Sequence, residues 1–233
     1  DCFRFSASEG QTIVCSTKAR LLIPYLADAV PGWFQPILTL RNAMGKEVAY
    51  NDDFGDNPDP VIIYTIPQSG SYTLEIKDAV YRGREDFIYR ISIGEIPYVR
   101  SVFPLGGKVG KTTRVALDGV NLSKNYIKLR VKKGNENKIF FNAKGKGLHS
   151  NSIAFGTSRG FELTENEHNS PSSAMFIPRN CTVNGKIRNP GEEDWYVVEG
   201  KKGENIVIGI LAHRLGSLLD ADITLYDVMT RLN

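Results

Sequence analysis

Five oxygen-bearing side chains lie close together in one short segment of the chain. They are Asn51, Asp52, Asp53, Asp56 and Asp59. Carboxylates held this close repel one another, so either water solvates them in an acidic turn or a hard cation draws them together. Calcium takes about 6–8 oxygen ligands and suits a flexible loop better than magnesium does. Because the spacing differs from that of an EF-hand loop, a solvated turn and a structural calcium site both stay open.

A second motif concerns serine chemistry. Residues 156–160 match G-x-S-x-G, with Ser158 at the position of the nucleophile in serine hydrolases. That motif works at a strained turn from a strand into a helix, which exposes the hydroxyl. The residues that follow are a short apolar run and a polar, Asn-rich stretch with a proline, which predict no helix. We therefore expect a turn between strands, and a hydrolase using Ser158 is the competing hypothesis from another functional class.

Two other patterns lack the context that their chemistry needs. The segment 106–112 falls short of a phosphate-binding loop, because Leu105 stands where the first glycine belongs and a strand is predicted to follow. The three histidines, His149, His168 and His213, show no metal-ligand or triad spacing. Since the sequence marks no general base, we expect a protein without catalytic activity.

Aromatic side chains are concentrated in residues 21–36, which include Tyr25, Trp33 and Phe34. Exposed aromatics on a loop stack on sugar rings or grip a protein partner, and large apolar patches on soluble modules usually mark interaction. Tryptophan is highly buried on average, however, so the same rings suit a cap over a β-sandwich. A ligand site for a polysaccharide or protein and a packing role both stay open.

The middle of the chain carries a local basic excess, opposed only by Asp118 and Glu136. The basic residues are Lys108, Lys111, Arg114, Lys124, Lys128, Arg130, Lys132, Lys133, Lys138, Lys144 and Lys146. A polyanion such as an acidic polysaccharide or nucleic acid would complement this charge, whereas lysines on solvent faces and edge strands also suppress edge-to-edge pairing. Because few aromatics interleave with the lysines, stacking of single-stranded bases is weakly supported. We expect no specific nucleic-acid partner.

Composition is that of an ordinary folded protein. The 233 residues are 41% hydrophobic and 24% charged, with a formal net charge of +3 and a pI near 8.7. This length exceeds one average domain, so we expect two or three small cores. No apolar run approaches the roughly 20 residues needed to cross a bilayer, and we expect no membrane span.

An internal repeat organises the chain. Residues 1–20 and 194–213 share one pattern of aromatic, glycine and β-branched positions at identical spacing, and the register resumes at 37–40 against 222–225. Each copy opens with apolar-polar alternation, a polar turn with glycine and a β-branched run, which predicts a β-hairpin. Because the second copy stops before any equivalent of residues 51–93, we expect the chain to be a fragment with further strands on both sides.

The repeat also bears on the cysteines. Cys2 and Cys15 correspond to Trp195 and Ile208 in the second copy, so both thiols are expected to face a packed interior. In the predicted hairpin they would lie diagonally, where Cα distances often exceed the disulfide range. Buried thiols are the default, a bridge stays open, and the scattered spacing with Cys181 does not suit a zinc site.

Further strand signals predict an all-β fold. Runs rich in β-branched and aromatic residues alternate with clusters of Asn, Asp, Gly and Pro, which is typical of a β-sandwich. The first set lies at 47–50, 61–66, 72–76 and 87–93. The second set lies at 98–103, 113–117, 127–131 and 139–141 and predicts another β-module.

These residues carry a family resemblance. The first copy, with the acidic segment 51–53 and the Gly-x-Tyr strand 70–74, resembles the bacterial pre-peptidase C-terminal domain, a jelly-roll-like sandwich. Residues 97–122, with their spaced glycines, are similar to a TIG-type immunoglobulin-like domain, and residues 165–187 resemble the lead-in strand of a second pre-peptidase module. The arrangement is similar to that of large secreted proteins of planctomycete-like bacteria.

The resemblance implies tandem β-sandwich modules: jelly-roll-like over 1–96, immunoglobulin-like over 97–167 and partially jelly-roll-like over 168–233. It implies a non-catalytic array that serves as a spacer, adhesion or ligand-recognition unit of a larger extracellular, cell-surface or periplasmic protein. Carbohydrate binding is the alternative within that class. The expected partners are other domains of the parent protein, a polysaccharide or protein ligand, and a second copy of the chain through strand exchange at open sheet edges.

Overall fold

The computed structural model describes residues 1–20, 22, 34–55, 57–134, 137–166 and 170–227. Within these residues β-strands dominate, and helical structure is limited to two short 3₁₀ turns, Pro171–Ser173 and His213–Leu215. No described helix has the length and apolar character needed to cross a bilayer. The prediction of an all-β protein with several sheets is confirmed.

Nineteen β-strands lie along the described residues. The first eight are β1 (Cys2–Ala7), β2 (Thr12–Lys18), β3 (Pro36–Arg41), β4 (Glu47–Asn51), β5 (Val61–Thr65), β6 (Gly70–Asp78), β7 (Arg90–Gly94) and β8 (Tyr98–Phe103). The others are β9 (Gly106–Lys108), β10 (Thr112–Val120), β11 (Tyr126–Arg130), β12 (Asn137–Phe141), β13 (Lys144–Gly145), β14 (Leu148–His149), β15 (Ile153–Ser158), β16 (Phe161–Thr164), β17 (Met175–Phe176), β18 (Cys181–Asn184) and β19 (Tyr196–Val197).

The chain forms two compact units. The first comprises Asp1–Val102, Ala116–Ile127 and Phe141–Ser152, and the second comprises Phe103–Val115, Lys128–Phe140 and Ile153–Asn233. The division into three modules with boundaries after residues 96 and 167 stays a prediction.

The first unit contains two antiparallel sheets, ordered β1-β6-β3-β4 and β5-β2-β7. Strand β6 shows why they pack: its side chains alternate, and Tyr72, Leu74 and Ile76 all turn inward. Both sheets contribute to one apolar cluster, in which Leu38 and Leu40 from β3 accompany side chains of β2 and β5. Because apolar burial is the dominant favourable term in folding, this core holds the strands that flank the acidic segment.

The predicted hairpin of residues 1–20 is wrong. Strand β1 pairs with β6, whereas β2 pairs with β5 and β7, so the two strands lie in different sheets. The intervening turn bonds to a third segment, since the N–H of Gly10 donates to the carbonyl of Ile66 at 2.9 Å and the N–H of Ile66 donates to Gln11 at 2.8 Å. Alternation and a glycine turn do not distinguish a hairpin from a crossing between sheets, which is common in sandwiches.

The two cysteines also differ from expectation. Cys15 is fully buried in the apolar cluster, and this burial raises the pKa of its thiol to about 12. Cys2 is exposed, because Phe3, Phe5 and Ala7 occupy the inner face of β1 and alternation turns Cys2 outward. The prediction of a buried Cys2 is therefore wrong. Cys2, Cys15 and Cys181 are all free thiols.

The second copy of the repeat does not reproduce the strands of the first. It forms the short strand β19, parallel to β17, and residues 198–212 contain no strand. Val14 in β2 is fully buried between β5 and β7, whereas its counterpart Val207 is 95% exposed. Within the 233 residues, the second copy has no counterpart of the segments that form β5 and β7. A strand without ladder partners leaves its backbone groups to water, which explains the difference.

The second unit contains β9 and β15 as a parallel pair, with β12 on the other side of β15. Strand β16 pairs in parallel with β18. Phe155 in β15 and Val115 and Val131 are fully buried. The second unit also contains the ends of β9, β11 and β15, with the described residues of the loops that follow them.

Candidate functional site

Two residues of the acidic segment, Asn51 and Asp59, accept hydrogen bonds from backbone N–H groups. Asp59 is fully buried, and its Oδ1 accepts hydrogen bonds from the N–H groups of Ala19 at 3.1 Å and Arg20 at 2.8 Å. Oδ1 of Asn51 accepts from the N–H of Val61 at 2.8 Å. These side chains therefore connect the ends of β2, β4 and β5.

The remaining described members of the segment face solvent. Asp52 and Asp53 are exposed, and the Tyr50 hydroxyl donates a hydrogen bond to Oδ2 of Asp52 at 3.4 Å. Desolvation and then the Asp52 carboxylate raise the pKa of Tyr50. Asp56 lies outside the described residues. Across the described residues, no three His, Cys, Asp or Glu side chains are arranged to hold a metal ion, and calcium in this loop stays a prediction.

Asp78 is a buried carboxylate that the sequence reasoning missed. It ends β6 and accepts hydrogen bonds from the N–H groups of Gln35 at 3.0 Å and Val80 at 3.3 Å. Arg82, four residues later, donates to it from Nε at 3.0 Å and from its backbone N–H at 3.0 Å. Burial alone would raise the pKa of Asp78, but the hydrogen bonds from Arg82 and the backbone hold it below its usual value. The sequence pattern that indicates this bond is an aspartate at the end of a strand, Asp78, followed four residues later by an arginine, Arg82.

Among the aromatic candidates, only Phe34 lies in the described part of the chain. Its ring stacks on Phe87 with centroids 5.4 Å apart and contacts Tyr89 at 6.1 Å. It packs against the core of the first unit, as expected for the capping alternative. Tyr25 and Trp33 lie outside the described residues, and their role as ligand-binding aromatics stays a prediction.

Ser158 is the last residue of β15, and strand β16 begins at Phe161. Its hydroxyl donates a hydrogen bond to the carboxylate of Glu162. The other oxygen of Glu162 accepts from Nδ2 of Asn184 at 2.9 Å, and Oδ1 of Asn184 accepts from the N–H of Gly106 at 3.0 Å. The hydroxyl therefore belongs to a hydrogen-bonded chain of side chains that joins four strands, at a strand-to-strand turn rather than an elbow.

The glycine-rich segment 106–112 is likewise a strand-to-strand connection, since β9 ends at Lys108 and β10 begins at Thr112. Among the histidines, His149 is exposed on β14 and His213 lies in a 3₁₀ turn. His168 lies outside the described residues.

Glu165 is a second buried carboxylate that the sequence did not single out for chemistry. Its Oε1 accepts from the N–H of Lys186 at 2.7 Å and from the Arg188 guanidinium at 3.1 Å. Burial, with the nearby carboxyl of Asp194, raises the pKa of Glu165. Burial, together with the carboxyls of Asp194 and Glu165, also raises the pKa of Tyr196. Glu165 therefore binds residues that follow β18 and lies near Asp194, which precedes β19.

No family model matches the chain. A stretch of 76 residues, 33% of the chain, is 37% identical to a probable subtilase-type serine protease of Deinococcus radiodurans. The matched stretch spans only 9% of the length of that protease. The similarity therefore concerns a small part of a much larger protein.

Proposed function

We propose that this chain is a non-catalytic array of β-modules that serves as a spacer, adhesion or ligand-recognition part of a larger extracellular protein. The observation that carries the proposal is that buried and half-buried polar side chains of the first unit bind backbone groups. Asn51, Asp59 and Asp78 all accept hydrogen bonds from backbone N–H groups. In the same unit, Nδ2 of Asn121 donates to the carbonyls of Thr12 at 2.8 Å and Ile96 at 3.0 Å. Side chains that form hydrogen bonds with backbone groups in this way stabilise the connections between strands.

The similarity to a small part of a large protease supports the same proposal, because small β-modules commonly accompany other domains in long chains. Other domains of the parent protein are accordingly the first partners that we propose. The extracellular, cell-surface or periplasmic location rests on the family resemblance. Immunodetection of the parent protein in secreted, surface and cytoplasmic fractions tests it, and recovery in the cytoplasmic fraction alone would contradict it.

The rival function is hydrolysis by Ser158. Against it stands the hydrogen bond of the Ser158 hydroxyl to Glu162 and the strand that follows the motif. A nucleophile elbow instead presents an exposed hydroxyl at the entrance of a helix.

The test is a screen of the purified chain against chromogenic ester, peptide and glycoside substrates, with Ser158→Ala as the matched control. We expect both proteins to stay at the rate of the buffer blank. Turnover by the parent chain that disappears in Ser158→Ala would establish the rival function.

A further inference from the structure

Three loops of the second unit are joined by backbone hydrogen bonds. Two hydrogen bonds join the loop after β9 to Val131, which follows β11. The N–H of Gly110 donates to the carbonyl of Val131 at 2.8 Å, and the N–H of Val131 donates to the carbonyl of Lys111 at 3.2 Å. The same loop donates from the N–H of Val109 to the carbonyl of Ser158 at 2.8 Å. The loops after β9, β11 and β15 therefore form one connected edge of the unit.

Basic side chains emerge from all three loops. We call Lys111, Arg130, Lys132, Lys133 and Arg159 the basic loop cluster. Each of them is exposed. Lys108 lies beside the cluster, with its ammonium 5.3 Å from the centre of the Phe161 ring.

The basic loop cluster lines two open hollows in the surface. The first, of about 450 Å³, is lined by Gly110, Arg130, Val131, Lys132 and Lys133. The second, of about 310 Å³, is lined by Val109, Lys133, Gly134 and Arg159. Lys133 belongs to both, so the hollows are adjacent. No aspartate, glutamate or aromatic residue is among the described residues that line them.

The two segments that carry most of the basic loop cluster are almost entirely positive in charge. The segments 103–115 and 128–140 of this unit contain eight lysines and arginines and one acidic residue, Glu136. Among the ion pairs of the described residues, none involves Lys111, Arg130, Lys132 or Lys133. Cations held near one another by a fixed backbone produce a positive field that an anionic partner neutralises.

The form of the hollows indicates the class of anion. They are open and adjacent, which suits successive charged groups on a polymer better than one enclosed small molecule. The described residues that line them offer no aromatic platform on which single-stranded bases stack. The cations stand on loops and on the last residue of β11 rather than on a helix or ribbon that enters a DNA groove. The guanidiniums of Arg130 and Arg159 add donors in the planar arrangement that pairs with carboxylate or sulfate. We propose that the basic loop cluster binds an acidic polysaccharide through the carboxylates or sulfates of successive sugars.

The test compares the 233-residue chain with a triple variant, Arg130→Gln, Lys132→Gln, Lys133→Gln. The matched control removes three exposed cations elsewhere: Lys46→Gln, Lys201→Gln and Lys202→Gln. Fluorescence polarisation with labelled polygalacturonate and labelled heparin measures the Kd of each protein over a salt series, and the two probes separate carboxylate from sulfate recognition. Neutral dextran and a single-stranded oligonucleotide serve as competitors.

We expect the triple variant to lose about tenfold or more in affinity, with a salt slope lower by about 2, because three charge contacts are removed. The control variant should stay close to the parent chain, and a Lys132→Arg, Lys133→Arg variant should retain binding. If the triple variant shifts the urea midpoint, Lys132→Gln and Lys133→Gln are compared singly with Lys201→Gln and Lys202→Gln.

Two kinds of result would overturn the proposal. The first is equal affinity of triple and control variants, or equal competition by neutral dextran, which would remove the basic loop cluster as a site. The second is tighter binding of the oligonucleotide through the same residues, which would make the surface a nucleic-acid site instead.

Discussion

Asp59 and Asp78 are carboxylates whose side chains are withdrawn from water in the first unit, and each accepts hydrogen bonds from loop N–H groups. A buried charge is tolerated only where such donors compensate its lost hydration. These two side chains hold the end of β2 and the start of β3 through backbone hydrogen bonds.

Asp59→Ala tests this role directly. The change leaves the N–H groups of Ala19 and Arg20 without their acceptor, and hydrogen bonds to charged groups contribute roughly 1.5–3 kcal/mol each. We expect a loss of about 3 kcal/mol in the free energy of unfolding, measured by urea denaturation. Asp53→Ala, in the same loop but exposed, is the control and should change stability by less than about 0.5 kcal/mol. Equal midpoints for both variants would contradict the role.

Calcium binding by the segment Asn51 to Asp59 makes a separate prediction. A ligand that binds only the folded state stabilises it by mass action, so the Tm should rise with millimolar calcium and fall with a chelator. Asp52→Ala should abolish that response, because Asp52 is exposed and has no part in the backbone bonds made by Asn51 and Asp59. Superimposable melts with calcium and with chelator would remove calcium from this loop.

Asp78 predicts a pH dependence. Its pKa is lower in the folded state than the ordinary value of 3.8, because Arg82 and the backbone stabilise the ionised form against the effect of burial. Its contribution to stability is therefore complete above the unfolded pKa and is lost as the pH falls through the folded pKa. Asp78→Asn should lower stability at neutral pH and flatten the decline below about pH 4.

The measurement is the urea midpoint from pH 7 down to pH 3, compared between the parent chain and each variant. Asp86→Asn is the control, because Asp86 pairs with Arg84 on an exposed surface at 2.6 Å, and such pairs contribute little. A pH profile for Asp78→Asn that runs parallel to that of the parent would show that Asp78 has no linked proton.

Strands β8 and β10 are neighbours in a sheet ordered β11-β10-β8, and their close approach depends on one glycine. A Cβ at Gly119 would overlap the carbonyl oxygen of Tyr98 and lie 3.0 Å from Cα of Val99. Because both obstacles are backbone atoms of the neighbouring strand, neither can move aside as a flexible side chain would. Gly119→Ala should therefore destabilise the first unit by about 1–3 kcal/mol.

Gly70→Ala is the matched control, since Gly70 begins β6 and a Cβ there would have nothing within 4 Å. Amide hydrogen exchange of β8 and β10 measures the local effect of each change. Equal protection in both variants would show that these strands are not in close contact at Gly119.

The strands of the first unit could be predicted from sequence because their side chains alternate around a buried core. The β-branched and aromatic pattern of residues 47–50 and 61–66 predicts strands, and these residues correspond to β4 and β5. The pairing of strands could not be predicted in the same way: the glycine turn near Gly10 is compatible with a hairpin and with a crossing between sheets, and only the bonds to Ile66 decide. The buried role of Asp59 depends on Ala19 and Arg20, about 40 positions away in the chain, which no local pattern records.

Within the described residues, the two copies of the sequence repeat adopt different structures. Strand β2 of the first copy has apolar side chains toward both faces and is covered by β5 and β7 at its edges. The equivalent apolar run of the second copy includes Ile206, Val207 and Ile208, which are 47%, 95% and 49% exposed. A continuous apolar run is typical of a strand that is buried on both faces, so this segment has the composition of a central strand without its neighbours.

Exposed apolar segments with unpaired backbone groups favour strand addition by another chain. We therefore expect the isolated chain to associate with itself in a concentration-dependent way, and Val207→Lys to weaken that association because a charge on the segment opposes its burial. Val80→Lys is the control, since Val80 is 62% exposed but lies outside the repeat. Sedimentation velocity over a concentration series measures both variants against the parent chain. A parent chain that stays monomeric at every concentration, or an equal effect of the two lysines, would contradict self-association through the second copy.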